Sequence, residues 1–103
     1  MHKRTRHHNR LDEFRRKRGF TSAHVARLLG HKENSTYQDY ERSDRLPSLV
    51  NALRLGIILR TPIEFLFGEL YDDLLTAIRA KEERLSQPTQ PTLFERQINS
   101  SAL

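Results

Sequence analysis

The chain has 103 residues, carries 18 Lys and Arg side chains against 13 Asp and Glu, and has a formal net charge of +5 at pH 7. It contains no cysteine, which excludes a disulfide framework and a thiolate zinc site. No apolar run approaches the roughly 18 residues that a membrane span needs. We therefore expect one small domain, without a membrane segment, in the cytoplasm.

The positive charge is concentrated at the start of the chain. Residues 1–18 hold eight basic and two acidic side chains, a net charge of +6, so the remainder has a net charge of -1. Such a block favours a polyanionic partner. Residues 1–9 have no apolar periodicity and are predicted to form a flexible basic arm, whose Arg4 and Arg6 would follow phosphates or enter a minor groove. A solubilising tail would have the same composition.

The first predicted helix covers residues 10–17. Leu11 and Phe14 share one of its faces, Gly19 ends it, and Phe20 is expected to enter the core. Basic side chains occupy the other faces. Such a cluster is usually a solvated surface, but its position directly before the next two helices favours contact with a polyanion backbone.

The stretch over residues 21–46 predicts two short helices joined by a polar turn. Thr21 is the cap candidate of the first, and Gly30 ends it because glycine takes a left-handed conformation without a Cβ penalty. The second helix begins near Asn34 or Ser35, either of which can cap it. Two helices in this arrangement are typical of a helix-turn-helix.

The second of these helices is predicted to have a buried aromatic side and a polar side. Tyr37 and Tyr40 would be buried, whereas Thr36, Gln38 and Asp39 would point outward. The acid that follows, at position 41, is predicted to form a structural ion pair with an arginine, either Arg15 or Arg42.

Two further helices are predicted between residues 48 and 67. Ser48 starts the first, and Gly56 inside it costs about 1 kcal/mol relative to alanine. Thr61 and Glu64 predict a capping box around Pro62 at the start of the second. The inward side chains are expected to be Leu49, Ala52, Leu53, Ile57 and Leu59 in the first helix, and Ile63, Phe65, Leu66 and Phe67 in the second.

A longer helix follows over residues 69–86, and residues 87–103 are predicted to be a disordered tail. The apolar stripe of this helix would either pack on its own domain or meet a second subunit, and the commonness of two-fold dimers favours the second interpretation. The stripe consists of Leu70 or Tyr71, Leu74, Leu75, Ile78 and Leu85.

Several motifs occur together in the order of one known family. They are Ala26, Gly30, Ser35-Thr36, Tyr40-Glu41-Arg42, Leu46-Pro47-Ser48-Leu49 and Pro62 to Phe67. In this combination the chain resembles the XRE family of helix-turn-helix regulators, which are related to the phage Cro and C1 repressors. The resemblance covers residues 10–68 and implies an all-α fold: a five-helix Cro/C1-type bundle, followed here by the longer C-terminal helix and flanked by disordered tails.

The resemblance implies sequence-specific binding to double-stranded DNA by a nucleoid-associated transcriptional regulator. The outer helix would enter the major groove, and a dimer would bind a two-fold operator. Base contacts are expected from Gln38 to adenine, from Asn34 likewise if it leaves its capping role, and from Ser35 or Thr36 to bases or phosphates. Phosphate contacts are expected from Thr21, Ser22, Lys32, Arg42 and Arg45.

Two features depart from the family pattern. The turn at residues 31–34 is one residue longer than the common form, and Asp39 stands where the family usually has a basic residue. Asp39 would oppose phosphate attraction, although it can accept a hydrogen bond from a cytosine amino group. The central stretch is also balanced in charge, which supports an alternative: an antitoxin-like or adaptor protein that binds a protein partner through residues 69–103.

An enzyme is the third class considered. The chain has no nucleophile motif, no Gly-rich phosphate loop and no helix with two His and a carboxylate at metal-binding spacing. Adjacent His7 and His8 have no carboxylate at metal-ligand spacing, so they are weak candidates for a metal site. We expect neither enzyme activity nor a cofactor nor a metal.

Overall fold

The computed structural model describes residues 7–87, which form six helices and no strand. The all-α prediction is confirmed for this part, and residues 1–6 and 88–103 of the predicted tails lie outside it. Chain packing defines two units that part between Asp73 and Leu74. The helices are α1 (Leu11–Lys17), α2 (Ser22–Leu28), α3 (Ser35–Glu41), α4 (Leu49–Leu59), α5 (Ile63–Leu66) and α6 (Gly68–Ser86).

The core of the first unit is built from every helix between α1 and α5. Each helix contributes only one or two buried side chains, and Leu29 directly after α2 adds another, as expected for amphipathic helices around a small core. Tyr37 and Tyr40 are both buried, which confirms their predicted place. The buried set is Leu11, Val25, Ala26, Leu29, Tyr37, Tyr40, Leu55, Leu59 and Leu66, with Phe14, Phe20, Ile58 and Phe67 packed against it.

Three of the predicted helix boundaries are confirmed by local geometry. The Thr21 hydroxyl accepts a hydrogen bond from the His24 amide at 3.1 Å, and the Ser48 hydroxyl accepts one from the Asn51 amide at 3.1 Å. Both bonds satisfy amides that have no partner within the first helical turn. Gly30 has a φ of 92°, in the left-handed region that lets the chain leave α2.

The predicted capping box at the start of α5 is wrong. Thr61 Oγ1 donates to the Leu59 carbonyl at 3.0 Å, and Pro62 takes the cap position without a side-chain cap bond. Arg60 closes α4 in a left-handed conformation, with φ 55° and ψ 42°. The Thr61 hydroxyl therefore completes the end of α4 and does not pair with Glu64.

The inward face of α4 also differs from the prediction. Leu49, Leu53 and Ile57 were expected in the core but are 50–73% exposed. Leu55, which was not expected there, is buried, and Leu59 is buried as predicted. The sequence of α4 is apolar on two sides at helical spacing, and only packing against the other helices decides which side is covered.

The prediction for the inward side of α5 is also wrong in part. Phe65 was expected in the core, but it is about half exposed, while its neighbour Leu66 is fully buried. The Phe65 ring packs edge-on against Phe14 at 5.8 Å and lies under the Arg10 guanidinium at 4.5 Å. A helix of four residues has no periodicity long enough to separate these two positions.

Gly56 is explained by a close approach between the end of α4 and the start of α5. A Cβ atom at this position would lie 3.1 Å from Ile63 Cγ2 and 3.1 Å from the Thr61 carbonyl oxygen. The backbone oxygen cannot move aside without shifting the turn. Glycine therefore has a packing reason here that offsets its poor helix propensity.

Replacing Gly56 with alanine is expected to destabilise the fold. The helix-propensity gain of about 1 kcal/mol should be outweighed by an overpacking cost of about 1–3 kcal/mol. Urea unfolding followed by circular dichroism measures the difference. Gly68→Ala is the matched control, because a Cβ there meets nothing within 4 Å. A more stable Gly56→Ala variant would contradict the packing argument.

The second unit is the later part of α6. Leu74, Ile78 and Leu85 of the predicted stripe are exposed, and Leu75 is half-buried.

No helix within residues 7–87 has the length and hydropathy of a membrane span.

Candidate nucleic-acid interface

A partly buried polar network attaches α3 to α1. Glu41 accepts hydrogen bonds from Arg15 Nε at 2.6 Å and from the Tyr37 hydroxyl at 2.5 Å. The side chains of Arg15 and Glu41 are only 13% and 14% exposed. The predicted ion pair is therefore present, with Arg15 as the partner of Glu41.

Two groups of the network are held in their protonated form. The hydrogen bond to Glu41 raises the pKa of the Arg15 guanidinium. Burial, followed by the same carboxylate, raises the pKa of the Tyr37 hydroxyl well above its ordinary value. Tyr37 thus remains a neutral donor at any physiological pH. This network fixes the rotation of α3 about its own axis.

The start of α3 is joined to the start of α2. Asn34 occupies the cap position of α3, but its side chain makes no cap bond, and Ser35 is the first residue of the helix. Asn34 Nδ2 instead donates to Ser22 Oγ at 3.2 Å. The expected capping role of Asn34 is therefore corrected. The turn leaves its amide facing α2, where it bridges the starts of the two helices.

The outward side of α3 carries the polar residues that the sequence assigned to it. Ser35 is exposed, and Thr36 and Gln38 are half-buried. Their side chains make no hydrogen bond to any of residues 7–87. Lys32, in the turn before α3, is exposed as well. We call Ser35, Thr36 and Gln38 the α3 polar face. It presents hydrogen-bond donors and acceptors on a helix whose opposite side is packed into the core.

Opposite charges lie close together at the end of α3. Asp39 accepts from Arg42 at 2.6 Å and lies 3.7 Å from Arg45 Nε. Arg42 also donates to Asp44 at 3.0 Å, and this bond raises the pKa of Arg42. Two acids and two bases form a cluster without net charge. A phosphate that approaches Arg42 or Arg45 must therefore compete with Asp39 and Asp44.

The start of α2 offers two hydroxyl groups beside the turn. Thr21 is exposed and Ser22 is half-buried. Each oxygen already accepts one hydrogen bond, Thr21 from the His24 amide and Ser22 from Asn34. Because a hydroxyl is both donor and acceptor, the O–H of each remains able to donate to a phosphate oxygen.

The basic cluster of α1 is largely paired with acids of the same helix. Arg16 donates to Asp12 at 2.7 Å, and Lys17 lies 3.4 Å from Glu13. Arg10 lies 3.6 Å from the same Glu13. Arg15, which pairs with Glu41, is mostly buried as well. These pairings reduce the positive charge that α1 presents to a polyanion. Arg4 and Arg6 lie outside the described residues.

Asn9 is a structural residue that the sequence reasoning missed. Its side-chain oxygen accepts from the Leu11 amide at 3.0 Å, and its Nδ2 donates to the Tyr40 carbonyl at 2.8 Å. The preceding backbone is held too, since Ser43 Oγ donates to the His7 carbonyl at 2.6 Å. Residues 7–9, assigned to the arm, are thus tied to the end of α3. The available signal was an asparagine two residues before the first buried leucine.

The described part of the chain holds no group of three His, Asp or Glu side chains that could share a metal ion. A scan against protein-family models found no match, and searches of curated proteins and of solved structures found none either. The functional assignment therefore rests on the chain's own residues and their geometry.

Proposed function

We propose that the chain is a sequence-specific DNA-binding transcriptional regulator with a five-helix, Cro/C1-type helix-turn-helix bundle. One observation carries the proposal: the α3 polar face, whose side chains bond to none of residues 7–87, lies on a helix whose opposite side is buried through Tyr37 and Tyr40. A rigid helix with a polar outer side is what major-groove recognition requires, because base edges are read by hydrogen bonds of fixed geometry.

Base recognition is assigned to the first turns of α3. Gln38 can pair with the N6 and N7 atoms of adenine, and Ser35 and Thr36 can bond bases or phosphates. Asn34 already donates one N–H to Ser22 Oγ at 3.2 Å, so it would contact a base with its second N–H and its Oδ1.

Phosphate contacts are assigned to both sides of the α3 polar face. On one side the hydroxyls of Thr21 and Ser22 and the ammonium group of Lys32 are available. On the other, Arg42 and Arg45 would exchange carboxylate partners for phosphates. Replacing one anionic partner by another adds little to the free energy of binding. We therefore expect DNA affinity to depend on the basic residues before α1 and on dimerisation over a two-fold site.

The direct test is a salt titration of binding to random duplex DNA, followed by selection of bound sequences from a random pool. A DNA-binding protein should lose affinity steeply as the salt concentration rises. A selected sequence with two-fold symmetry would report a dimer. Absence of any binding at low salt would overturn the regulator proposal.

Replacing Gln38 with alanine is expected to relax the sequence preference at one base pair by about 1–3 kcal/mol. Binding to random DNA should change little, because an amide lost from the groove removes no phosphate contact. Competition between the selected site and its single-base variants measures this effect. Gln87→Ala is the control, since Gln87 is exposed beyond the last helix. A uniform loss over all sequences would show that Gln38 does not read a base.

The alternative is an antitoxin-like or adaptor protein whose main partner is a protein bound through residues 69–103. The charge-neutral cluster around Asp39 favours it, because that cluster weakens phosphate binding at the edge of the α3 polar face. The same salt titration separates the two functions. An adaptor would show weak DNA binding without sequence preference, or none.

A further inference from the structure

Helix α4 exposes four large apolar side chains on one side. Leu49, Val50, Leu53 and Ile57 are between 50% and 73% exposed. At 100° per residue they fall within an arc of about 100°, so they form one continuous stripe. We call these four residues the α4 stripe.

The α4 stripe lies opposite the side of α4 that builds the core. Leu55 and Leu59, fully buried, point to the other side of the helix. The exposed leucines are therefore not needed to complete the core of the chain. A continuous apolar surface of this kind is typical of an interaction site, whereas single exposed leucines are not.

A shallow groove adjoins the α4 stripe. It has a volume of about 400 Å³ and runs between the end of α4 and the start of α5, where Gly56 adds no side chain. Leu53 and Ile57 form one wall, and Pro62 and Ile63 form the other. The same face of the molecule thus carries both projecting apolar side chains and an apolar depression.

We propose that the α4 stripe is the surface through which two copies of this chain pair around a two-fold axis. In such an interface each subunit uses the same patch, so the patch must be complementary to itself. Projecting side chains beside a groove meet this condition, because Ile57 of each subunit can enter the groove of the other. This surface would be the dimer interface of the proposed regulator. Pairing of two copies does not require DNA binding, and only the biological role of the dimer rests on the proposed function.

The charges at the groove also suit self-association. Arg60 and Glu64 both line it, and neither forms an ion pair with any of residues 7–87. In a two-fold pair each arginine can therefore lie opposite the glutamate of the other copy, which makes the edge of the groove complementary to itself in charge. A strongly acidic or strongly basic partner would instead meet one like charge at the same edge.

The area of the patch fits a small dimer interface. Full burial of one aliphatic side chain corresponds to roughly 100 Å², so the α4 stripe with Pro62 and Ile63 presents on the order of 300–400 Å² of apolar surface. A standard interface buries about 800 Å² per partner, of which somewhat more than half is apolar. The α4 stripe together with Pro62 and Ile63 supplies most of that apolar share.

Disulfide trapping tests the proposal directly, because the chain contains no cysteine of its own. Leu53→Cys, at the middle of the α4 stripe, is expected to form covalent dimers under mild oxidation roughly a hundredfold faster than Ile78→Cys, the control on α6. Both positions are about half exposed, so both variants should fold. Faster trapping at Ile78 would overturn the proposal in favour of pairing through α6.

Sedimentation equilibrium of the full chain without DNA provides the second measurement. Ile57→Glu is expected to raise the dimer dissociation constant on the order of a hundredfold, because it places a carboxylate twice in the apolar contact. Ile78→Glu should leave it within a few fold. A wild-type chain that stays monomeric at hundreds of micromolar, or an Ile57→Glu variant that dimerises normally, would refute the proposal. DNA binding by a monomer would leave the proposed function standing.

Discussion

Replacing Glu41 with alanine is expected to lower the free energy of unfolding by about 3 kcal/mol, near the cost of breaking a buried ion pair by removing one partner. Its carboxylate is the common acceptor for Arg15 and Tyr37, and the side chains of Arg15 and Glu41 are only 13% and 14% exposed. Without it, a guanidinium and a phenol hydroxyl lose a partner where solvent cannot replace it. Chemical denaturation of both proteins measures the loss.

The matched control is Glu13→Ala on the exposed side of α1. Glu13 lies 3.4 Å from Lys17 and 3.6 Å from Arg10, but these side chains are about half exposed or more. An exposed ion pair contributes about 0–1 kcal/mol, so the control should change stability little. Equal effects of Glu41→Ala and Glu13→Ala would show that burial does not strengthen the network.

Neutralising Lys3, Arg4 and Arg6 with glutamine is expected to weaken binding to all DNA sequences and to flatten its salt dependence. If each side chain neutralises one phosphate, the slope of log affinity against log salt should become less steep by about 2.7. The loss should be the same for a selected site and for random DNA, because phosphates carry no sequence information. Titrations at several salt concentrations measure both quantities.

The change must stop at position 6. A deletion that reached Asn9 would also remove its bonds to the Leu11 amide and the Tyr40 carbonyl. The effect of the lost charge on DNA binding could then not be separated from the effect of the lost stability. Asn9→Ala is the control: it should cost about 0.5–2 kcal/mol of stability, as helix caps do, without changing the salt slope. An unchanged slope in the neutralised variant would exclude residues 1–6 from DNA contact.

Much of the helical framework could be predicted from local signals. Thr21, Gly30 and Ser48 mark helix ends by backbone chemistry that acts within a few residues. Tyr37 and Tyr40 are recognisable as core because they are the large apolar positions of an otherwise polar helix. Local interactions of this kind depend on neighbouring residues alone, so they can be predicted from a single sequence.

The side chains of the candidate site were harder to assign, because most of their partners are distant in the chain. Asn34 was expected to cap its own helix, yet its amide is bound by Ser22, twelve positions earlier. Arg15 was one of two arginines predicted to pair with Glu41, and only the packing of α3 against α1, across 26 positions, selects it over Arg42. Charge counted along a sequence therefore overstates the positive charge that α1 presents at its surface.

The sequence by itself determined that the chain is helical, where α1 to α5 begin within a few residues, and that α3 has a polar and an aromatic side. Only the tertiary structure decided which side of α4 is covered, since Leu53 and Leu55 are equally apolar but one is half exposed and the other buried. The physical reason is that periodicity defines the faces of a helix, whereas burial depends on the elements that pack against it. On α4 that choice leaves an apolar stripe for a second molecule.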